Sequence, residues 1–269
     1  MYRIGLAQSQ VSPDKQQNLA LAETVLADAR DAGVELLVFP EIYMATSPPS
    51  LPNLEREAVA ETVQGPFVTR LRRLTAQLGL WTVFGMLELP DEPDSRHRVF
   101  NTVVIIDNTG NIAGRYRKSH LYDAFSVKES DMFLSGDTLF HPVSSPFGRL
   151  GLLVCYELRF PEVARTLVQR RADVLLAPSA WYSGPLKELH WSLLVQTRAL
   201  ENTVFVAACN QTANGFTGRS QLVDPLGVPL VQAGEEPQLI MGDVDLDRIR
   251  RARTKLPTHE QARPSLYTV

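Results

Sequence analysis

Three residues with complementary chemistry stand at the ends of short runs in this sequence. Cys155 follows Leu150-Gly151-Leu152-Leu153-Val154 and precedes a helix opened by Pro161. Glu41 follows Val38-Phe39-Pro40, and Lys118 closes the stretch Ala113 to Arg117. A thiol at a strand-to-helix turn gains from nearby backbone N–H groups and the positive helix end, which stabilise a thiolate or an oxyanion. Such a thiol still needs a base to take its proton. A carboxylate is such a base, and an ammonium stabilises a developing oxyanion. Together the three would support nucleophilic attack on an acyl carbon. Each alone also fits a plainer role: Cys155 as a core cysteine, Glu41 as a solvated loop residue, Lys118 as one more of the basic run with Arg115 and Arg117. No His-containing motif accompanies Cys155, and Leu153 and Glu157 stand where a Gly-x-Ser-x-Gly elbow has glycines.

Bringing these residues together requires buried strands. Glu35-Leu36-Leu37-Val38-Phe39, Leu150 to Val154 and Val174 to Pro178 are continuous apolar runs, the pattern of strands covered on both faces. Tyr2 to Ser9, Trp81 to Leu87 and Val204 to Ala208 read as further strands. Helical stripes run over residues 17–32 with Gly33 as a stop, from Pro66 to Leu78, from Pro161 to Arg171 and from Lys187 to Asn202. Asp107-Asn108-Thr109-Gly110 reads as the turn of a hairpin between Val99–Ile106 and Asn111–Arg117. A strand is expected near Leu139, before the turn Ser145-Pro146-Phe147-Gly148. The turn Asp224-Pro225-Leu226-Gly227 joins two short strands ahead of Leu239 to Val244. Lys118 to Asp137 has no period and reads as a long functional loop. Ser47 to Pro52 and Leu89 to Pro93 read as surface loops. Two strand–helix–strand passages separated by a hairpin argue for α/β layering within a single domain, residues 1–269.

The bulk composition narrows the class. A 269-residue chain with 44% hydrophobic residues suits a globular protein with a sizeable core. A net charge of −3 gives no sign of a nucleic-acid surface. No run reaches the ~18 apolar residues of a membrane span. Two cysteines, Cys155 and Cys209, make no disulfide framework, and Met1-Tyr2-Arg3-Ile4-Gly5 enters a strand pattern without a signal-peptide apolar region. A cytoplasmic enzyme is the expectation. The five histidines are scattered and no Cys-x-x-Cys occurs, so no metal site is expected.

Three stretches carry a resemblance. Val38-Phe39-Pro40-Glu41, Tyr116-Arg117-Lys118-Ser119-His120-Leu121 and Leu153-Val154-Cys155-Tyr156-Glu157-Leu158-Arg159-Phe160-Pro161-Glu162 resemble, in order and spacing, the three signatures of the nitrilase (carbon–nitrogen hydrolase) superfamily. The likeness covers nearly the whole chain and extends to Gln196–Asn202 and Gly218–Gly227. It implies a four-layer α-β-β-α sandwich, a homodimer formed through helices and no cofactor. It also implies a triad with Glu41 as general base, Lys118 as oxyanion stabiliser and Cys155 as nucleophile. Glu129, in Lys128-Glu129-Ser130, matches a second glutamate that orients the lysine or assists proton transfer.

Lys118–Ser130 and Ala180–Trp191 look most like bacterial amidases of deaminated glutathione, which release 2-oxoglutarate and cysteinylglycine. The near relative is ω-amidase, acting on 2-oxoglutaramate. Both imply a small amide substrate with a 2-oxo acid end and a cationic or hydrogen-bonding recess beside the triad. Tyr43, Phe125, Tyr156, Trp181 and Tyr182 are candidate substrate contacts, Tyr156 also through its backbone N–H as an oxyanion donor. Arg159 fits either a substrate carboxylate or an acidic partner that braces the turn. A nitrilase, an acyltransferase and a non-catalytic scaffold are the other readings. A low-pKa Cys155 that alkylates faster than Cys209 would separate enzyme from scaffold.

Overall fold

The computed structural model describes residues 1–46 and 51–266. Part of the Ser47–Pro52 stretch therefore lies outside the described residues. The first half runs β1 (Tyr2–Gln8), α1 (Lys15–Asp31), β2 (Leu36–Val38), α2 (Asn53–Val59), α3 (Pro66–Leu78), β3 (Trp81–Glu88), β4 (Val99–Ile106) and β5 (Ile112–Arg117). The second runs β6 (Val143–Ser145), β7 (Gly148–Leu152), α4 (Pro161–Gln169), β8 (Val174–Ser179), α5 (Lys187–Asn202), β9 (Phe205–Asn210), β10 (Gln221–Val223), β11 (Pro229–Gln232), β12 (Gln238–Val244) and α6 (Leu246–Lys255).

Local chemistry sets these boundaries. Asp14 caps α1 by accepting the Gln16 N–H at 2.8 Å. Pro66 opens α3, and Gly79 closes it in the left-handed region at φ 69°.

Two sheets result, with orders β12-β1-β2-β3-β4-β5 and β11-β10-β9-β8-β7-β6. In the first, β1, β2 and β3 are parallel; in the second, β7, β8 and β9 are. The period of two along each strand decides what each face meets. Ile4, Leu6, Leu36, Val38, Val83, Val103 and Ile105 point into a core shared with Leu150, Leu152, Val174, Leu176 and Phe205 of the other sheet. Their neighbours Ala7, Leu37, Phe84, Met86, Val104 and Ile106 face the opposite way, against α1 and α3. The second sheet's outer face is covered by α4 and α5, through Val163, Leu167, Trp191, Val195 and Ala199. This is the four-layer α-β-β-α sandwich. No described helix is long and apolar enough to cross a membrane.

Some local expectations need correction. No strand forms at Leu139; pairing begins at Val143, because the turn at residues 145–148 fixes the register Ser145↔Gly148 and Val143↔Leu150. The Lys118–Asp137 stretch is not featureless: residues 123–124 pair with 127–128, a short 3-10 turn spans Glu129–Asp131, and Phe133–Leu134 adds to β4. Helix α4 ends at Gln169, two residues early, and β9 starts and ends later than Val204 to Ala208.

Candidate active site

The parallel strands of both sheets end at one place, and the reactive side chains stand just beyond them. Glu41 follows β2, Lys118 follows β5 and Cys155 follows β7; with Glu129 they line a single cleft of about 760 Å³, counting space open to solvent. Gly85 of β3 makes the Glu41 turn possible, because a Cβ there would lie 2.2 Å from the Ile42 backbone nitrogen.

Lys118 is buried and its charge is answered twice. Nζ donates to Glu41 Oε1 at 2.9 Å and to Glu129 Oε1 and Oε2 at 3.0 and 2.9 Å. Burial alone would lower its pKa, but the charges of Glu129 and Glu41 outweigh it and hold Lys118 well above an ordinary lysine. Other donors hold the two carboxylates, and one lone pair of Glu41 Oε2 stays free. Glu41 Oε2 accepts the Ala180 N–H at 2.7 Å, and Glu129 Oε2 accepts the Tyr122 N–H at 2.5 Å. The fully buried Asn101 of β4 donates Nδ2 to Glu41 Oε1 at 2.7 Å and to Glu129 Oε1 at 3.2 Å. Asn101 was not foreseen from sequence; its one signal is an amide side chain, beside Thr102, inside the mostly apolar run Val99 to Ile106.

Cys155 sits at φ 48°, a left-handed conformation that costs a non-glycine residue on the order of 1–3 kcal/mol. It begins a short 3-10 turn, Cys155–Arg159, that leads into α4. The low-pKa thiol expected from the strand-to-helix position is not what the site produces. Burial first, and the charge of Glu41 second, push the Cys155 pKa well above a free thiol; Lys118 and the Ala180 N–H pull only partly back.

Glu157 ties this turn to the lysine strand. Its Oε2 accepts the Val154 N–H at 2.8 Å, while Oε1 accepts the Ser119 and His120 N–H groups and the Tyr116 hydroxyl at 3.0, 3.2 and 2.6 Å. Burial would raise this carboxyl, but donors from His120, Tyr116, Ser119 and Val154 overcome it and lower its pKa.

Of the candidate substrate contacts, Tyr156, Trp181 and Tyr182 line the cleft. Tyr43 does not: its ring packs on Phe39 at 4.4 Å and its hydroxyl donates to the Asn18 carbonyl at 3.1 Å, deep under α1. Phe125 is exposed and reaches the cleft only through its contacts with Tyr122 and Lys187. Arg159 lines the cleft, with its guanidinium 4.6 Å above the Trp181 ring. Its Nε and Nη2 are buried without a hydrogen-bond partner, so no acidic brace exists among the described residues.

A strained cysteine, a buried carboxylate–ammonium–carboxylate array and an adjoining cationic wall, at the meeting of two parallel sheet halves, define an acyl-transfer site of the hydrolase type. The chain belongs to the carbon-nitrogen hydrolase family, whose model matches residues 3–254, and it is an enzyme acting on amides. It is 35% identical over 242 residues, 90% of each chain, to a deaminated glutathione amidase of Escherichia coli O157:H7. Among solved structures it superposes on the Caenorhabditis elegans NitFhit protein with a TM-score of 0.90 and 28% identity, covering 99% of this chain and 66% of that one. It is also similar to a mutant amidase of Nesterenkonia sp. AN1 that shows Michael addition of acrylamide at its active-site cysteine. That match has a TM-score of 0.78 and 27% identity, over 96% of this chain and 99% of the other.

Proposed function

We propose that this amidase, a single carbon–nitrogen hydrolase domain, hydrolyses the internal amide of deaminated glutathione to 2-oxoglutarate and cysteinylglycine through a thioester on Cys155. The observation that carries the proposal is Arg159: a partly exposed cation whose Nε and Nη2 are buried without a hydrogen-bond partner, lining the same cleft as the sulfur. Buried donors without a partner are costly to hold, and a substrate carboxylate satisfies them with a charge-assisted pair of hydrogen bonds. The 2-oxo acid end of the substrate supplies that carboxylate.

In the first half-reaction Glu41 takes the Cys155 proton as sulfur attacks the amide carbon. A thiol whose pKa burial and Glu41 push up suits a base that acts during attack rather than before it. The tetrahedral oxyanion is held by Lys118 Nζ and the Tyr156 N–H. Protonated Glu41 then passes its proton to the departing amine, and the C–N bond breaks to leave the thioester. In the second half, Glu41 takes a proton from water, hydroxide adds to the thioester carbon, and the sulfur leaves with the proton returned. Glu129 fixes Lys118 throughout, through two hydrogen bonds to Nζ. The acrylamide adduct on the cysteine of the Nesterenkonia amidase supports a nucleophilic sulfur at this position.

2-Oxoglutaramate presents the same 2-oxo acid end to Arg159 and is the second reading, with ammonia as the leaving group. Leu189, Leu193 and Leu200 are exposed along α5, beside exposed Val228, which supports a homodimer joined through this helix. The two free thiols suit the reducing cytoplasm. The deciding assay compares product release from deaminated glutathione and from 2-oxoglutaramate, with Cys155→Ala as control. Faster turnover of the peptide amide supports the first reading; turnover of neither overturns both.

A further inference from the structure

The wall of the cleft carries more positive charge than its acids balance. Glu41 and Glu129 are both engaged by Lys118, while Arg159 and Lys187 face the same space with no carboxylate in ion-pair range among the described residues. The two cations meet different surroundings. Arg159 Nε and Nη2 are buried without a partner, although the residue as a whole is partly exposed. Lys187 is buried, and its Nζ lies 3.6 Å from the ring centroid of Phe125, which is 66% exposed and marks the rim of the cleft.

Lys187 is a fixed group rather than a loose surface chain. Leu186 before it takes φ 63°, the Lys187 N–H donates to the Gly184 carbonyl at 2.9 Å, and the Lys187 carbonyl accepts Trp181 Nε1 at 3.0 Å. Its ammonium donates to the Tyr122 hydroxyl at 2.7 Å. A phenol and an aromatic face orient the charge without neutralising it. Burial, and then repulsion from Arg159, lower the Lys187 pKa, and the charge of a bound anion would oppose that shift.

We propose that Lys187, held by Tyr122, is a second carboxylate receptor. It reads the amine side of the substrate, so the enzyme selects amides whose leaving group ends in a carboxylate over amides that release ammonia or a neutral amine. The inference rests on the reading that Cys155 takes the acyl group and Arg159 its 2-oxo acid end. With the short acyl arm directed to Arg159, the longer leaving group extends toward the Phe125 rim, where Lys187 waits.

The test measures kcat/KM for deaminated glutathione and for the same molecule with its glycine carboxylate converted to a primary amide, using wild type, Lys187→Met and Tyr122→Phe. Wild type should prefer the free carboxylate by about ten- to a hundredfold, mostly through KM, as expected for one charge-assisted pair. Lys187→Met should bring that ratio close to one, and Tyr122→Phe should lower it partway. A wild-type ratio near one overturns the inference without any variant, as does a ratio that Lys187→Met leaves in place. Wild type that cleaves both molecules without preference overturns this inference alone. Wild type that cleaves neither of them, nor 2-oxoglutaramate, overturns the parent reading as well.

Discussion

Glu157 accepts the backbone N–H of Ser119 at 3.0 Å, although the two residues follow strands of different sheets. Ser119 follows Lys118 and Glu157 lies two residues past Cys155, so one buried carboxylate holds the ammonium strand and the sulfur turn in register. Glu157 touches neither the sulfur nor the lysine side chain; it acts as a positioning residue.

Glu157→Gln should therefore lower kcat by about tenfold or more, and stability by about 1–3 kcal/mol, because an amide NH2 must face a donor on one side. The folded-state pKa of Glu157 lies below its unfolded value. Its stabilisation is present above the unfolded carboxyl pKa of about 4.3 and is lost as pH falls through the folded value. Denaturant titrations between neutral and acid pH should show a smaller acid loss in the variant. An equal loss in both proteins would remove this role.

Asn101 joins the two glutamates that share Lys118. Asn101→Ala should reduce kcat by roughly tenfold through loss of a donor common to both carboxylates. Asn101→Asp should be more damaging, since a third carboxylate would crowd one ammonium. Steady-state kinetics with thermal midpoints check the order. Asp equal to or better than Ala would contradict the charge balance described for the site.

Arg159 lines the cleft with Nε and Nη2 lacking hydrogen-bond partners. Arg159→Met should raise KM for 2-oxo acid amides by about ten- to a hundredfold. The same change should leave the thermal midpoint close to unchanged, because the two buried guanidinium nitrogens it removes hold no hydrogen bond of the fold. A marked fall in midpoint would mean that the guanidinium supports the fold instead.

Cys155 should titrate as a suppressed thiol. Its alkylation by iodoacetamide should accelerate with pH through an inflection above the free-cysteine value of about 8.5. Cys209, fully buried and likewise raised, should remain slower because it does not line the cleft. An inflection for Cys155 near or below neutrality would show a resting thiolate and displace Glu41 as the base.

The parts of the fold readable in advance were those where one local signal dominates. Val38, Val154 and Val174 belong to runs buried on both faces, and such runs name their strands without tertiary knowledge. Pro66 and Gly79 bracket α3 for similarly local reasons. Helix α6 was missed because Leu246–Lys255 is mostly charged and buries only Ile249 and Ala252. Tyr43 was misplaced because proximity to Glu41 in sequence does not say which face a ring takes after a turn; Ile42 at φ 51° redirects the chain. Asn101 and Lys187 gain their meaning from partners 60 and 65 positions away, which no local pattern encodes.

The most direct measurement of the central claim is peptide mass spectrometry of enzyme quenched in acid during turnover of deaminated glutathione. The account requires a 2-oxoglutaryl group on the peptide containing Cys155, lost again when substrate is exhausted and absent from Cys155→Ala, which should retain no turnover. Sustained hydrolysis by Cys155→Ala, or rapid turnover by wild type with the acyl group found on another residue, would contradict it.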